Sequence, residues 1–363
     1  MTKTDATGTR PSLRPATPAP ASGRRRSRTL AWASAALLAA IVVGVSAAVL
    51  LTGGCGAEPA PAAAPWERQP YGAGVGLYDV TFADRDHGWA VGAGGAIVAT
   101  ADGGATWAPQ SSGTDVVLYG VAFPNRRTGY AVGDNGTLLV TKDSGQTWRR
   151  SAAGTRGLLF AADFRDARNG VVVGADGTIV STNDGGASWT ARPSGTRANL
   201  ESVAFASSAR AWAVGFDFAA GVGAILATTD GGATWSTQDS RSSANLSDVA
   251  FGDATHGWAV GDGGTILATT DGGVTWRAQS SGTGAFLHAV DFSDLTHGWA
   301  VGDGGTILAT TDGGVTWSAQ SSGTNWSLTS IAVTDAARGC VVGGDGNGKA
   351  GIILATTNGG AAR

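Results

Sequence analysis

Eight residues, Thr269-Thr270-Asp271-Gly272-Gly273-Val274-Thr275-Trp276, constrain this chain more than any other stretch, because near copies return with aspartates at Asp102, Asp143, Asp184, Asp230 and Asp312. A degenerate copy, Thr357-Asn358-Gly359-Gly360, puts Asn358 in the same place. A short carboxylate can accept backbone N–H groups of its own turn, and the glycines supply the positive φ that a tight reversal needs. All seven positions are therefore expected to fix turns. The Thr-x-Trp that follows has strand character, and its ring is suited to burial against neighbouring strands.

The spacing decides the architecture. Trp66, Trp107, Trp148 and Trp189 follow one another at 41 residues; the step to Trp235 is 46, and those to Trp276 and Trp317 are again 41. A 40–45-residue period holding four short strand patterns is the mark of a propeller blade. One blade reads as strands over 287–292, 298–302, 306–311 and 316–320, with the Asp turn joining the third to the fourth. Residues 255–283 and 296–324 differ only at Arg277 against Ser318, so copying built the array. The 58 glycines have no three-residue period and sit between apolar runs, as turns of an all-β protein do.

The seventh repeat begins at Leu328 and reaches its turn without a fourth strand, whereas Pro65-Trp66-Glu67-Arg68-Gln69 resembles one. The fold expected is all-β: a seven-bladed propeller of four-stranded antiparallel blades over 66–363, its last blade completed by an N-terminal strand so that no sheet edge stays open. Residues 1–29 read as a disordered basic cytoplasmic tail, and 30–52 as an uncharged transmembrane helix or signal anchor long enough for a ~30 Å hydrocarbon core. Residues 53–65 read as a Pro/Ala linker. The arginines before residue 30 put the propeller on the extracytoplasmic side of a cell membrane, in a single-pass chain; a lipoprotein acylated at Cys55 is the alternative. Residues 1–65 carry a surplus of +5, so with −3 overall the remainder carries −8, which disfavours nucleic acid as a partner. Cys55 and Cys340 provide no disulfide framework, and Cys340 takes the register of Trp89, Trp258 and Trp299, as a buried thiol would.

Candidate binding residues come from the loops that vary. In a four-stranded blade, the loops joining strands two and three share one end of the disc with the links to the next blade. Both period changes are five-residue insertions there, around Phe216 and around residues 345–349. Arg156, Arg197 and Arg241 fall in three consecutive links and suit a carboxylate-rich partner. Trp326 is the one tryptophan of 13, apart from Trp32 in the apolar segment, outside every repeat register; it is either an exposed anchor or packing at the channel mouth. A further register, Tyr78, Tyr119, Phe160, Glu201, Ser247, His288 and Thr329, falls on the innermost strands; Glu201 with His288 is the one pair suited to acid–base work, against a plain polar lining. His87, His256 and His297 precede Gly-Trp at one register in separate blades, which favours a turn role over metal binding. No metal and no cofactor are expected.

The Asp turns resemble the Asp-box repeats of sialidases, sortilin-type receptors and several glycosidases. The fuller unit, in which Leu-x-x-Val-x-Phe leads to His-Gly-Trp-Ala-Val-Gly and then the Asp turn, more closely resembles the photosystem II stability and assembly factor family. That resemblance implies an exported, non-enzymatic, seven-bladed propeller that assists assembly of a membrane complex, and hence a protein partner for a monomeric propeller. No partner-binding motif of that family is matched residue by residue. A sialidase-like or carbohydrate-binding propeller is the alternative, although Glu67 and Glu201 are the only glutamates after residue 65.

Overall fold

The computed structural model describes residues 65–361. The expected tail, apolar span and most of the linker lie outside the described residues, and no helix among those described is long and apolar enough to cross a membrane. Seven four-stranded antiparallel sheets follow one another along the chain, over 77–110, 118–150, 159–191, 199–238, 246–279, 287–320 and 327–356. These are blades one to seven. In blade six the strands run Leu287–Phe292, Gly298–Gly302, Ile307–Thr310 and Ser318–Gln320. The last two are shorter than the sequence pattern suggests, because the Thr306 N–H is taken by the turn before the third strand and the Thr316 N–H by Asp312 in the turn before the fourth.

Blade seven takes its fourth strand from the beginning of the described chain. Glu67 lies opposite Ala355, Arg68 lies opposite Leu354, and Gln69 N–H donates to Ile353 at 2.8 Å. The packing repeats what the whole blades do. Trp148, Trp276 and Trp317 each donate an indole N–H to the glutamine ending the preceding blade, Gln110, Gln238 and Gln279, at 3.2–3.4 Å. Trp66 does the same to Gln320 at 2.9 Å and is buried with Trp299, Val341 and Leu354.

The Asp turns share one bonding scheme. In the fifth blade Asp271 accepts the Thr275 N–H at 2.9 Å, the Thr275 hydroxyl at 2.7 Å and the Thr269 hydroxyl at 2.8 Å, while Gly273 N–H donates to Thr269 Oγ1 at 2.8 Å. Gly272 and Gly273 take φ of +71° and +79°, so the reversal cannot carry a side chain without strain. Asp102, Asp143, Asp184, Asp230 and Asp312 repeat the scheme, and Asn358 substitutes an amide that donates to the Ala361 carbonyl. The turn hydroxyls and N–H groups hold Asp184, Asp230 and Asp271 down at about 2.

Neighbouring blades are joined along the innermost strands by a second set of aspartates. Innermost strands are sheet edges, with N–H groups that no ladder satisfies. Asp248 accepts the Ser202 hydroxyl of blade four at 2.6 Å, the Val249 N–H of its own blade at 2.8 Å and the Val290 N–H of blade six at 2.9 Å. Asp79 ties blades seven, one and two through Ser330, Val80 and Val121. Asp163 and Asp291 each cap their own strand and the N–H of the next blade, Phe205 and Val333. Only the joint between blades two and three lacks such a carboxylate among the described residues. There Tyr130 stacks on Phe164 at 3.8 Å, and Lys142 Nζ donates to the Gly185 carbonyl at 3.0 Å.

The two aspartate sets respond oppositely to pH. Carboxylates held at about 2 contribute stability above the unfolded value near 4, and lose it as pH falls towards 2. Burial pushes Asp248 up to about 7 and Asp79 and Asp291 up to about 6, so their contribution is full below about pH 4 and fades as pH rises through 6–7. Thermal melts across pH are therefore expected to peak at about pH 4–5 and to fall on both sides; a melting temperature rising steadily from pH 4 to pH 8 would contradict the assignment.

Candidate functional site

The two ends of the disc differ in kind. At one end the Asp turns lock onto the loops between strands one and two, as where Gly272 N–H donates to the Thr255 carbonyl at 2.9 Å. There His87, His256 and His297 each place Nδ1 2.9–3.1 Å from Asp84, Asp253 and Asp294 three residues earlier. Among the described residues no three metal-ligating side chains converge. At the other end the loops between strands two and three bond to the links, as in Gly136 N–H to the Gly157 carbonyl at 2.8 Å. This link face carries the two insertions and the candidate binding residues.

Arg156 and Arg197 are exposed, each following the Thr that ends a link turn. Arg156 lines an open pocket of about 590 Å³ with Arg150, Ser151, Thr155 and Asn135, and no carboxylate lines it. Arg241 differs in position: its φ of +53° is the left-handed conformation that Gly113, Gly154 and Gly195 adopt in other links, and its Nε lies 3.5 Å from Asp239. Phe216 is the penultimate residue of the long second strand of blade four, Ala211–Asp217, and meets Phe218 edge-on at 5.0 Å. Phe218, on the hairpin tip, is 64% exposed, and Val222 on the returning strand is 43% exposed. That hairpin lies between the links of Arg197 and Arg241, bonded by Thr196 Oγ1 to Asp217 at 3.5 Å and by Gly223 N–H to the Ser242 carbonyl at 2.9 Å.

Trp326 is half-buried against the blade-seven core. The Arg68 guanidinium lies over its ring, 5.3 Å from the centroid, and both line an open pocket of about 670 Å³ with Gln320, Thr324 and Asn325. This pocket is register-equivalent to the one at Arg156, since each is bounded by the end of a fourth strand and the link after it. Arg68 and Arg150 were not distinguished by the sequence reading, because fourth-strand residues appear there only as scaffold.

The innermost register shows a further regularity. In all seven blades the ladder between strands one and two slips at one residue, and those residues are Tyr78, Tyr119, Phe160, Glu201, Ser247, His288 and Thr329. A bulge leaves its residue unpaired and re-aims the side chain. Ser247 and Thr329 donate to carbonyls of the next blade, Leu287 at 2.6 Å and Leu77 at 2.9 Å. Glu201 accepts from Asn245 Nδ2 at 3.2 Å, and burial pushes it up to about 7. His288 Nε2 lies 2.9 Å from Asp303 and 3.1 Å from Ser327 Oγ, which itself donates to Asp303. A serine relay needs the hydroxyl and the carboxylate on opposite ring nitrogens, whereas here they share one. Glu201 and His288 stand in blades four and six with no hydrogen bond between them.

Fold and bonding together define an Asp-box propeller whose variable loops gather on one face. Comparison with known proteins places it further. The model of the photosynthesis system II assembly factor YCF48 family matches residues 58–156, 150–242, 235–285 and 279–362, and the chain belongs to that family. Among solved structures it is similar to YCF48 bound to D1 peptide, at 23% identity over 83% of this chain and 99% of that one, with a TM-score of 0.67. YCF48 from Cyanidioschyzon merolae gives 24% identity over 81% and 98%, with a TM-score of 0.66. The GH74 xyloglucanase from Xanthomonas campestris gives 17% identity over 81% of this chain and 53% of that one, with a TM-score of 0.63. At these identities the structural likenesses speak for the fold. No curated protein sequence matches the chain.

Proposed function

We propose that this protein is a non-enzymatic, membrane-anchored extracytoplasmic propeller that captures a segment of a partner protein on its link face, through Arg156, Arg197 and Arg241 with Phe216 and Trp326. The observation that carries this reading is the blade-four hairpin. It displays Phe218 and Val222 to solvent between two arginine-bearing links, in a ring otherwise tied together blade by blade. An aromatic beside guanidinium groups is the composition of an interface hot spot. Membership of the YCF48 family, and a relative that holds a peptide, support a peptide segment as the partner and assembly of a membrane complex as the setting. The anchor is assigned to residues 30–52, or to a lipid on Cys55.

The alternative, a glycan-binding or glycoside-cleaving propeller, draws support from the fold shared with the xyloglucanase alone. Glycoside hydrolysis ordinarily uses two carboxyl groups flanking the scissile bond, and Glu201 has Asn245 as its side-chain partner. Capture of the partner from solubilised membranes separates the readings. Arg197→Ala and Phe218→Ala should each weaken capture about tenfold, with melting temperature unchanged, as loss of a hot-spot residue does. Trp326→Ala should weaken capture and also lower the melting temperature, because the ring packs on the blade-seven core. Undiminished capture by the first two variants, or glycosidase activity abolished in Glu201→Gln, would overturn the proposal.

A further inference from the structure

The bulge residues of blades one, two and three are the only Tyr or Phe side chains in their register, and they form a continuous arc. Tyr78 and Tyr119 have ring centroids 5.8 Å apart at 53°, and Tyr119 and Phe160 are 5.8 Å apart at 62°. Each ring is turned by tens of degrees from the last, so the three make a curved wall. Bulge residues in blades five and seven tie their hydroxyls to the next blade; the aromatic ones meet each other instead. Tyr78 and Tyr119 are half-buried, each with part of its surface in solvent, whereas Phe160 is buried behind Tyr119.

The charges that bear on the two phenols are carboxylates, while Arg150 and Arg156 flank the same blade-two loop at Asn135 and Gly136 and Lys349 follows Gly348 in the blade-seven insertion. Asp134, opening the loop between strands two and three of blade two, raises the Tyr119 phenol, and with Asp345 of the blade-seven insertion it also raises that of Tyr78. Burial and these carboxylates raise both phenols, with no cation offsetting them. No Lys or Arg among the described residues is ion-paired with Asp134 or Asp345; the Asp345 carboxylate accepts only the backbone N–H groups of Asn347 and Lys349. The insertion brings Gly348 against the Tyr78 hydroxyl, so the blade-seven loop flanks the wall.

Electron-rich ring faces beside carboxylates that hold no ion-paired Lys or Arg attract a cation from outside. We infer that the channel mouth at blades one and two is a receptor for one cationic side chain, Lys or Arg, of a bound peptide, with Tyr78 and Tyr119 as its wall, the buried Phe160 behind them and Asp134 as its counter-charge. This rests on the reading of the link face as a peptide-binding surface, and adds what that peptide must carry: a basic residue for the mouth beside acidic groups for the arginines at the rim.

A test independent of any partner uses single residues. The full chain, with its four tyrosines ring-labelled for NMR, is titrated with N-acetyl-arginine methylamide, its lysine counterpart and the neutral isostere N-acetyl-citrulline methylamide. The expected result is a saturable shift of the Tyr78 and Tyr119 ring signals with the two cations, none with citrulline, and no movement of the fully buried Tyr130. Tyr78→Leu and Tyr119→Leu should each weaken binding about fivefold, and Asp134→Asn about threefold, as single cation–π and surface charge contacts do. Tyr119→Phe retains the ring and should bind nearly as wild type, which separates loss of the wall from loss of the fold. Equal shifts with citrulline, no saturable shift, or an unchanged affinity in the two Leu variants would overturn the inference. Partner capture that persists alongside such a result would leave the reading of the link face standing.

Discussion

Trp66→Ala should destabilise the propeller by about 3–5 kcal/mol, the cost of deleting a buried indole, and should act on the blade that closes the ring. Trp66 is 1% exposed, lies in the core of blade seven and donates to Gln320 of blade six. Its strand is held by two paired residues and the Gln69 N–H, so the ring accounts for most of its attachment. Without it, Leu354 and Ile353 present an unpaired strand edge next to an emptied pocket. Such edges template pairing with other chains. Chemical denaturation should show the loss, and native-state hydrogen exchange should show earliest opening at Ile353 and Ala355. Trp148→Ala, at the same register inside an intact blade, is the comparison: similar destabilisation, without selective opening of blade seven.

The second large effect is expected at Asp248. Asp248→Ala removes the acceptor for three donors drawn from three blades, the Ser202 hydroxyl and the Val249 and Val290 N–H groups. Buried donors left without partners cost about 1–3 kcal/mol each, partly offset here because the carboxyl itself is buried at a cost. A net loss of about 2–4 kcal/mol in denaturant melts is the expected outcome. Asp248→Asn keeps one oxygen as acceptor but turns an amide N–H towards a donor, and should lose roughly half as much. Destabilisation no greater than that of an exposed turn aspartate would mean the inter-blade bonds contribute little.

What the sequence disclosed, and what it withheld, follows from the kind of signal each feature leaves. The Asp turn, the 41-residue period and the strand supplied by Trp66 are local patterns that recur, so seven blades and their closure were legible before any coordinates. Asp79, Asp163, Asp248 and Asp291 were not singled out. They occupy two positions of the innermost strand in different blades, and their partners lie about 42 residues or more away. The loop face carrying Arg156, Arg197 and Phe216 could be placed from topology, whereas Arg241 was grouped with arginines whose backbone conformation it does not share. Trp326 stood out by elimination, but its cover by Arg68 joins residues from opposite ends of the repeat array. The aromatic arc was visible as a register; the bulge that re-aims it was not, because a slip in the ladder depends on the partner strand.

Site-specific photocrosslinking in native membranes tests the central claim most directly. A photoreactive residue is placed at Phe218 on the link face or at Val274 on the Asp-turn face, both largely exposed. The account predicts a protein adduct from position 218, lost when Arg197→Ala is added, and none from position 274. An adduct from position 274 alone, or equal adducts from both faces, would contradict it.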